Sequence, residues 1–219
     1  GTLNIEDTED KPSLDFLPPM FRRRLSQLSK SCIQVAFDCL AGQKDVISVF
    51  ASRHGEMQQL VKLITAIAGN ETVSPASFSM SVHNTAAGLF SIANKNTAPS
   101  NTIAAGEHAV EAAFIEAAGI LQSAKSKKVL LIIADESINE AYHNLLKEPQ
   151  PPYALAFLLT NDSAAPAFKM SFTKARSKNI PESSGHYGLQ FMRWFLGEKK
   201  NALVLPGIRV DTQWELCPG

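Results

Sequence analysis

Cysteine is scarce in this 219-residue chain, and its pattern excludes two classes of small protein. The three cysteines, Cys32, Cys39 and Cys217, are too few and too dispersed for a disulfide scaffold. The sequence contains no Cys-x-x-Cys pair, and no two of its five histidines have the spacing of a helical zinc site. We therefore expect no metal site and no bound cofactor.

Net charge and long apolar runs are missing as well. Lys plus Arg number 21 and Asp plus Glu number 21, so no overall field attracts nucleic acid or an anionic membrane. The densest apolar run, Val129 to Ala134, has the length of a strand and is too short to span a bilayer. The acidic start, from Glu6 to Asp10, is unlike a signal peptide. These absences predict a cytoplasmic protein with neither a nucleic-acid partner nor a membrane span.

The phosphate-binding and nucleophile motifs of several common enzymes are also absent. The sequence contains no Gly-x-x-x-x-Gly-Lys, no Gly-x-Gly-x-x-Gly and no Gly-x-Ser-x-Gly. The sequence therefore lacks the motifs that a kinase, a dinucleotide-binding enzyme or a serine hydrolase of these types requires.

What the chain does contain is an alternation of apolar strands and apolar helices. Such an alternation predicts a layered α/β fold whose strands are buried on both faces. We expect one domain over residues 1–219, because neither a linker nor a repeat interrupts the pattern. Predicted helices cover residues 22–40, 60–68, 84–94, 109–121 and 189–196; predicted strands cover 46–51, 102–105, 129–134, 153–160, 168–172 and 202–205, and residues 210–219 form a tail.

The stretch from Asn84 to Glu107 is the most distinctive part of the sequence. Its predicted helix is small or apolar on nearly every face, which is typical of an interior or an interface. Pro99 then marks a loop, and Thr102 to Ala105 reads as a short buried strand. A second apolar helix opens near Glu107, so the order is helix, loop, strand, turn and helix.

This order, together with the motifs Ser52–Glu56 and Phe78–Asn84, resembles the N-terminal half of a β-ketoacyl synthase. The resemblance is more specific to the short chain-length-factor-like proteins of aryl polyene biosynthesis. In the family, an Asn-x-Ala-Ala-Gly-x-x-Ser-Ile helix precedes a Gly-Pro loop, a strand and the catalytic cysteine. Aligned without gaps from Asn84, the cysteine position falls on Glu107. The resemblance implies an α/β, thiolase-like layered fold, a single N-terminal-type half with a mixed sheet and buried central helices.

The same resemblance implies a subunit without catalysis of its own. A carboxylate at position 107 cannot usefully accept an acyl group, and the family's histidines come from a C-terminal half that we expect this chain to lack. We therefore expect a chain length factor that pairs with a catalytic ketosynthase and forms the acyl tunnel during carrier-bound polyene elongation. An acyl carrier protein is the second expected partner. Two alternatives stay open: a stand-alone acyl-thioester decarboxylase or hydrolase using Glu107, and an acyl-binding homodimeric structural protein.

The resemblance implies tunnel or interface roles for residues around the two central helices. As ordinary core, the apolar members of this set would need no such role. Glu107 in the first turn of a helix would stabilise that helix by about 0.3–1 kcal/mol, and Glu111, four residues later, is predicted to share its face. The candidate residues are Phe78, Met80, His83, Asn84, Ala86, Ala87, Gly88, Phe90, Thr102, Ala104 and Glu107.

Two further features allow more than one interpretation. The cluster Arg22, Arg23 and Arg24 is either a solvated helix start or a docking patch for an acidic carrier protein. His54 and His83 lie beside the best-matching motifs, and each is either a hydrogen-bonded structural histidine or part of a pocket lining.

Overall fold

The computed structural model describes residues 12–123, 127–145, 151–162, 167–174, 187–197, 201–207 and 212–219. The chain falls into two compact units, which we describe separately. The larger unit covers residues 10–159, and the smaller unit covers residues 1–9 and 160–219. One domain over residues 1–219 stays a prediction.

A four-stranded sheet forms the centre of the larger unit. Its strands are β1 (Ile47–Ala51), β2 (Ser100–Ile103), β3 (Lys128–Asp135) and β4 (Tyr153–Thr160), in the order β2-β1-β3-β4. β1 runs parallel to both neighbours, with Val49 opposite Asn101 on one side and Leu131 on the other. The two inner strands, β1 and β3, are apolar on both faces and almost wholly buried, as parallel strands between helices must be.

Helices cover both faces of this sheet. α2 and α5 share a core with Phe50, Leu130 and Ile132. Residues that alternate with these along the strands point to the opposite face, where α6 packs on β1 and β3. The helices are α1 (Pro19–Arg22), α2 (Gln27–Leu40), α3 (Met57–Ala68), α4 (Pro75–Ser79), α5 (Thr85–Asn94) and α6 (Ala109–Gln122), with short 3-10 helices at Gly106–His108 and Glu140–Leu145.

The prediction of one helix over residues 22–40 is wrong at its start. α1 ends at Arg22, and α2 begins only at Gln27. Ser26 adopts extended backbone angles and its hydroxyl accepts a 2.9 Å hydrogen bond from Ser29 N, which begins α2 one residue later. The sequence analysis did not identify α4, although Ser74 caps that helix and Pro75 occupies its first position.

The strand predicted at residues 102–105 is shifted and is not buried. β2 covers Ser100–Ile103 at the edge of the sheet, with Ser100 and Asn101 exposed and Thr102 and Ile103 half-buried. Because β2 is an edge strand, it has β1 on one side, and no strand among the described residues pairs with its other side.

Among its described residues, the smaller unit contains a three-stranded antiparallel sheet and one helix. The elements are β5 (Phe168–Lys174), α7 (Tyr187–Leu196), β6 (Leu203–Pro206) and β7 (Thr212–Pro218), and the strand order is β5-β7-β6. Phe168 packs edge-on against Phe191 and Trp194 of α7. The tail predicted at residues 210–219 is wrong, because β7 is the central strand and pairs with both neighbours.

Candidate functional site

The turn between β2 and α6 holds the residue that aligns with the family's cysteine. Gly106 adopts a left-handed backbone with φ of 57°, and the 3-10 helix Gly106–His108 leads directly into α6. Glu107 lies in this turn with 57% of its side chain exposed. Because α6 begins only at Ala109, Glu107 precedes the helix, whereas the side chain of Glu111 is 2% exposed. The prediction that these two carboxylates share a helix face is therefore wrong.

Arg53 neutralises the Glu107 carboxylate. Arg53 Nη2 donates to Glu107 Oε1 at 2.7 Å, and the arginine side chain is only 16% exposed. The guanidinium comes from the loop after β1, so the pair joins the ends of two neighbouring strands. A carboxylate held in this way is an anion with a fixed partner, which suits it to structure better than to nucleophilic attack.

Asp135, at the end of β3, fixes the loop that carries Arg53. Its Oδ1 accepts hydrogen bonds from Ser52 Oγ at 2.8 Å and from Arg53 N at 2.7 Å. The hydroxyl of Tyr153 donates to the other oxygen, Oδ2, at 3.2 Å. Burial, followed by the charge of Asp135, raises the pKa of Tyr153, so this phenol stays protonated as a donor.

His83 and Glu56 hold the other end of the same loop. His83 Nε2 donates to Ser52 O at 3.0 Å, and its ring packs so closely on Gly55 that a Cβ there would come within 2.8 Å of it. Glu56 is buried, and its Oε1 accepts from Ser26 Oγ at 2.8 Å and Ser29 Oγ at 2.6 Å. Burial raises the pKa of Glu56, which the two serine hydroxyls partly offset. His83 is thus a structural residue of this loop, and it also lines the groove described below.

Glu111 is a buried acid one turn into α6. Neither carboxylate oxygen has a hydrogen-bond partner among the described residues, and His108 Nδ1 lies 3.7 Å from Oε1. Burial raises the pKa of Glu111 to about 7 and lowers the pKa of His108. The sequence analysis gave no role to Asp135 or Tyr153, because the residues that they contact are far away in the sequence, and it did not predict the burial of Glu111.

A shallow, open groove of about 580 Å³ runs along the exposed edge of β2. Asn101 Nδ2 donates to Glu116 of α6, which gives one wall of the groove a polar lining. Of the candidate residues, His83, Asn84, Thr102 and Ala104 lie together here. The complete lining is His83, Asn84, Ser100, Asn101, Thr102, Ile103, Ala104 and Glu116.

The remaining candidates from the two central helices occupy different environments. Phe90 is fully buried in the core, with its ring 5.6 Å from that of Phe50, and Ala86 and Ala87 are buried in the same cluster. Gly88 is exposed, and a Cβ there would meet nothing within 4 Å. α5 is therefore one-sided rather than buried all round. Any tunnel or interface role for Phe90, Ala86 and Ala87 stays a prediction.

The outlying candidates lie at or near the surface. Phe78 on α4 is 60% exposed, and Met80, at the end of that helix, is half-buried. Arg23 and Arg24 are exposed, whereas Arg22 pairs with Asp15 and donates to Ser13 O. Their role in carrier docking stays a prediction.

Two classes of site find no support in the part of the chain that the structure describes. No group of His, Cys, Asp and Glu side chains among the described residues is placed to hold a metal ion. None of the described helices is both long enough and apolar enough to cross a membrane.

Comparison with known proteins agrees with this arrangement of strand, turn and helix. A family model described as "Beta-ketoacyl synthase, N-terminal domain" matches residues 2–215. No curated protein matches the chain. A solved structure, the ketosynthase ApeO in complex with its chain length factor ApeC from Xenorhabdus doucetiae, contains a chain 28% identical to this one, with a TM-score of 0.80. The alignment covers 95% of this chain and 83% of that chain.

Two more distant structures share the fold alone. The ishigamide ketosynthase/chain length factor is 14% identical with a TM-score of 0.62, over 83% of this chain and 66% of that chain. A beta-ketoacyl synthase from Burkholderia phymatum is 13% identical with a TM-score of 0.62, over 86% of this chain and 57% of that chain. The predicted α/β, thiolase-like layered fold and the resemblance to β-ketoacyl synthases are thereby confirmed.

Proposed function

This chain belongs to the beta-ketoacyl synthase N-terminal domain family, and we propose that within it the chain acts as a non-catalytic chain length factor. In this role it pairs with a catalytic ketosynthase and forms part of the wall of the acyl tunnel. The reaction served is the cytoplasmic elongation of a polyene chain, of the aryl polyene type, on an acyl carrier protein. Similarity to the ApeO–ApeC complex supports this assignment.

The observation that carries the proposal is the ion pair at the nucleophile turn. Condensation through a covalent intermediate needs a group that both accepts and releases an acyl chain, as a cysteine thiolate does. At position 107 the chain has a carboxylate, already anionic and bound 2.7 Å from Arg53. The partner therefore supplies the nucleophile.

The open edge of β2 supplies a surface for that partner. Both helices that flank β2 present a glycine and an isoleucine to solvent: Gly88 and Ile92 on α5, and Ile115 and Gly119 on α6. A strand edge flanked by exposed apolar side chains favours pairing with another chain. A ketosynthase with the same half-fold would cover this edge through a pseudo-symmetric contact, in which small residues allow a close approach.

The tunnel wall then lies along the groove beside β2. Thr102, Ala104 and Asn84 line this groove, and a bound partner would close its open side. An acyl chain between the two subunits would meet these side chains and those of the partner. We place the carrier protein at Arg23 and Arg24, because exposed guanidinium groups attract an acidic partner.

Affinity purification from the native cell, followed by native mass spectrometry, tests this function. We expect a 1:1 complex with a ketosynthase and no condensing activity of the chain alone. Thioester hydrolysis or decarboxylation by the isolated chain, lost in Glu107→Gln, would support an enzyme instead. A homodimer that holds an acyl ligand and ignores the ketosynthase would support an acyl-binding structural protein.

A further inference from the structure

α3 and α4 carry an apolar surface that the described residues of the chain leave exposed. Of the twelve residues of α3, all of them described, only Leu63 is buried. Leu60, Ile64 and Ile67 recur at helical spacing and are 41%, 50% and 59% exposed; we call these three residues the α3 stripe. Phe78 on α4, which packs beside α3, is also exposed. Exposed apolar groups of this size, aligned on one helix face, are typical of a binding surface.

The first turn of α3 is nevertheless firmly anchored. Gln58 N donates to Glu136 Oε1 at 2.8 Å, and Gln58 Nε2 donates to Ser137 O at 2.8 Å. Asn139 Nδ2 completes the set by donating to Gln58 Oε1 at 3.1 Å. These hydrogen bonds fix the direction of α3, so the α3 stripe is held in one orientation at the surface.

The helical pair is physically continuous with the open edge of β2. Thr85 Oγ1, in the first turn of α5, donates to Ser79 O at the end of α4. α5 in turn contacts β2, and Asn84 lines the groove beside that strand. One surface thus runs from α3 through α4 and the start of α5 to the sheet edge.

The β2 edge alone is too small for a stable interface, so a partner must also contact other surfaces of this chain. Four residues of strand span only about 13 Å, whereas a stable interface buries about 800 Å² on each partner and an obligate one more. The α3 stripe contains no charged group, so its natural complement is an apolar groove. We propose that the same ketosynthase that pairs with β2 also binds the α3 stripe in an apolar groove of its own surface, so that α3 and α4 clamp the two subunits together.

This inference rests on the proposed function, and a pair of variants on one helix tests it. Ile64→Ser removes the central side chain of the α3 stripe, and Lys62→Ser introduces the same residue at an exposed position of α3 outside the stripe. The probe is the ketosynthase that co-purifies with the wild-type chain, with its affinity measured by biolayer interferometry. We expect at least tenfold weaker binding for Ile64→Ser and less than a twofold change for Lys62→Ser.

Other outcomes separate this inference from the proposed function. If wild type binds the ketosynthase and Ile64→Ser binds equally well, the clamp is wrong while the chain length factor role stands. If wild type forms a homodimer that Ile64→Ser abolishes, the stripe binds a second copy and the clamp is also wrong. If no ketosynthase co-purifies, the proposed function fails, and the clamp with it. Ile67→Ser, at the most exposed stripe position, repeats the test where folding is least affected.

Discussion

Arg53 Nη2 lies 2.7 Å from Glu107 Oε1, although the two residues are 54 positions apart in the sequence. The guanidinium is held by a loop that Asp135 and His83 fix from two sides. The carboxylate occupies the turn that aligns with a catalytic cysteine in the family. At the turn where the family has its nucleophile, this chain therefore has an ion pair that joins the loop after β1 to the start of α6.

A double-mutant cycle measures this link. Because Glu107 is more than half exposed, solvent screening limits the coupling between Arg53 and Glu107 to about 0.5–1 kcal/mol. Arg53→Met, Glu107→Gln and the double variant should fold, with free energies of unfolding that give a coupling in this range. A 1:1 complex of Glu107→Gln with the ketosynthase should keep its product-forming activity. Loss of all activity in that complex would show that Glu107 has a chemical role.

Glu111 should make the chain less stable as pH rises toward neutrality. Burial raises the pKa of Glu111 from an ordinary value of 4.5 to about 7. The stabilisation that Glu111 gives the folded chain is thus fully present below pH 4.5 and is lost as pH rises through 7. The free energy of unfolding falls by roughly 3 kcal/mol at most. Glu111→Gln should remove this part of the pH dependence and stabilise the chain at pH 8.

Urea unfolding at pH 5 and pH 8 checks this expectation. Glu136, whose pKa burial also raises to about 7, and His108, whose pKa burial lowers, are present in both proteins, so the difference isolates Glu111. Glu116→Gln, on the same helix but not buried, should behave like wild type. Equal pH dependence in wild type and Glu111→Gln would contradict the burial of this carboxyl, which has no hydrogen-bond partner among the described residues.

Much of the secondary structure could be predicted from local pattern. The strand at residues 153–160 has the predicted bounds, and the helix predicted at 109–121 extends by a single residue, because an apolar run or a sustained period of 3.6 is a local property. β7 was missed because its place in the sheet depends on pairing with β5 and β6 rather than on its own sequence. The sequence of a strand does not specify the strands with which it pairs.

The site was less predictable than the fold, for the same physical reason. An apolar helix such as α5 does not reveal which side is covered, so the sequence could not predict that Ala86 and Ala87 are buried while Gly88 and Ile92 are exposed. Asp135 accepts hydrogen bonds from Arg53 and Ser52, which lie 82 and 83 positions earlier in the sequence. The position of Glu107, by contrast, followed from a motif in which every element is adjacent in sequence.

Phe90 and Phe78 should respond very differently to truncation. Phe90 is fully buried between α2 and the sheet, so Phe90→Ala should cost about 3–5 kcal/mol of unfolding free energy. Phe78 is exposed in the isolated chain, and Phe78→Ala should change that free energy by less than about 0.5 kcal/mol. Chemical denaturation of both variants decides the matter. A stable Phe90→Ala chain whose complex with the ketosynthase makes longer products would assign Phe90 to the tunnel instead.

Charges placed at two alanines should separate folding from association. Ala104 is exposed beside β2, so Ala104→Asp should leave the chain folded but prevent the 1:1 complex. Ala87 is buried in the core, so Ala87→Asp should unfold the chain, because an unpaired charge there has no compensating partner. Circular dichroism and native mass spectrometry of both variants check this, with Ala141→Asp at another exposed position as the control. A normal complex with Ala104→Asp would remove the β2 edge from the interface.

The central claim is that this chain contributes no nucleophile and determines what its partner makes. The most direct test is mass spectrometry of carrier-bound acyl products, from malonyl and acyl carrier protein, with the ketosynthase alone, this chain alone and the purified 1:1 complex. We predict β-ketoacyl products extended by condensation from the complex, none from this chain alone, and none or only short products from the ketosynthase alone. The same product distribution with and without this chain, or elongation by the chain alone, would contradict the account.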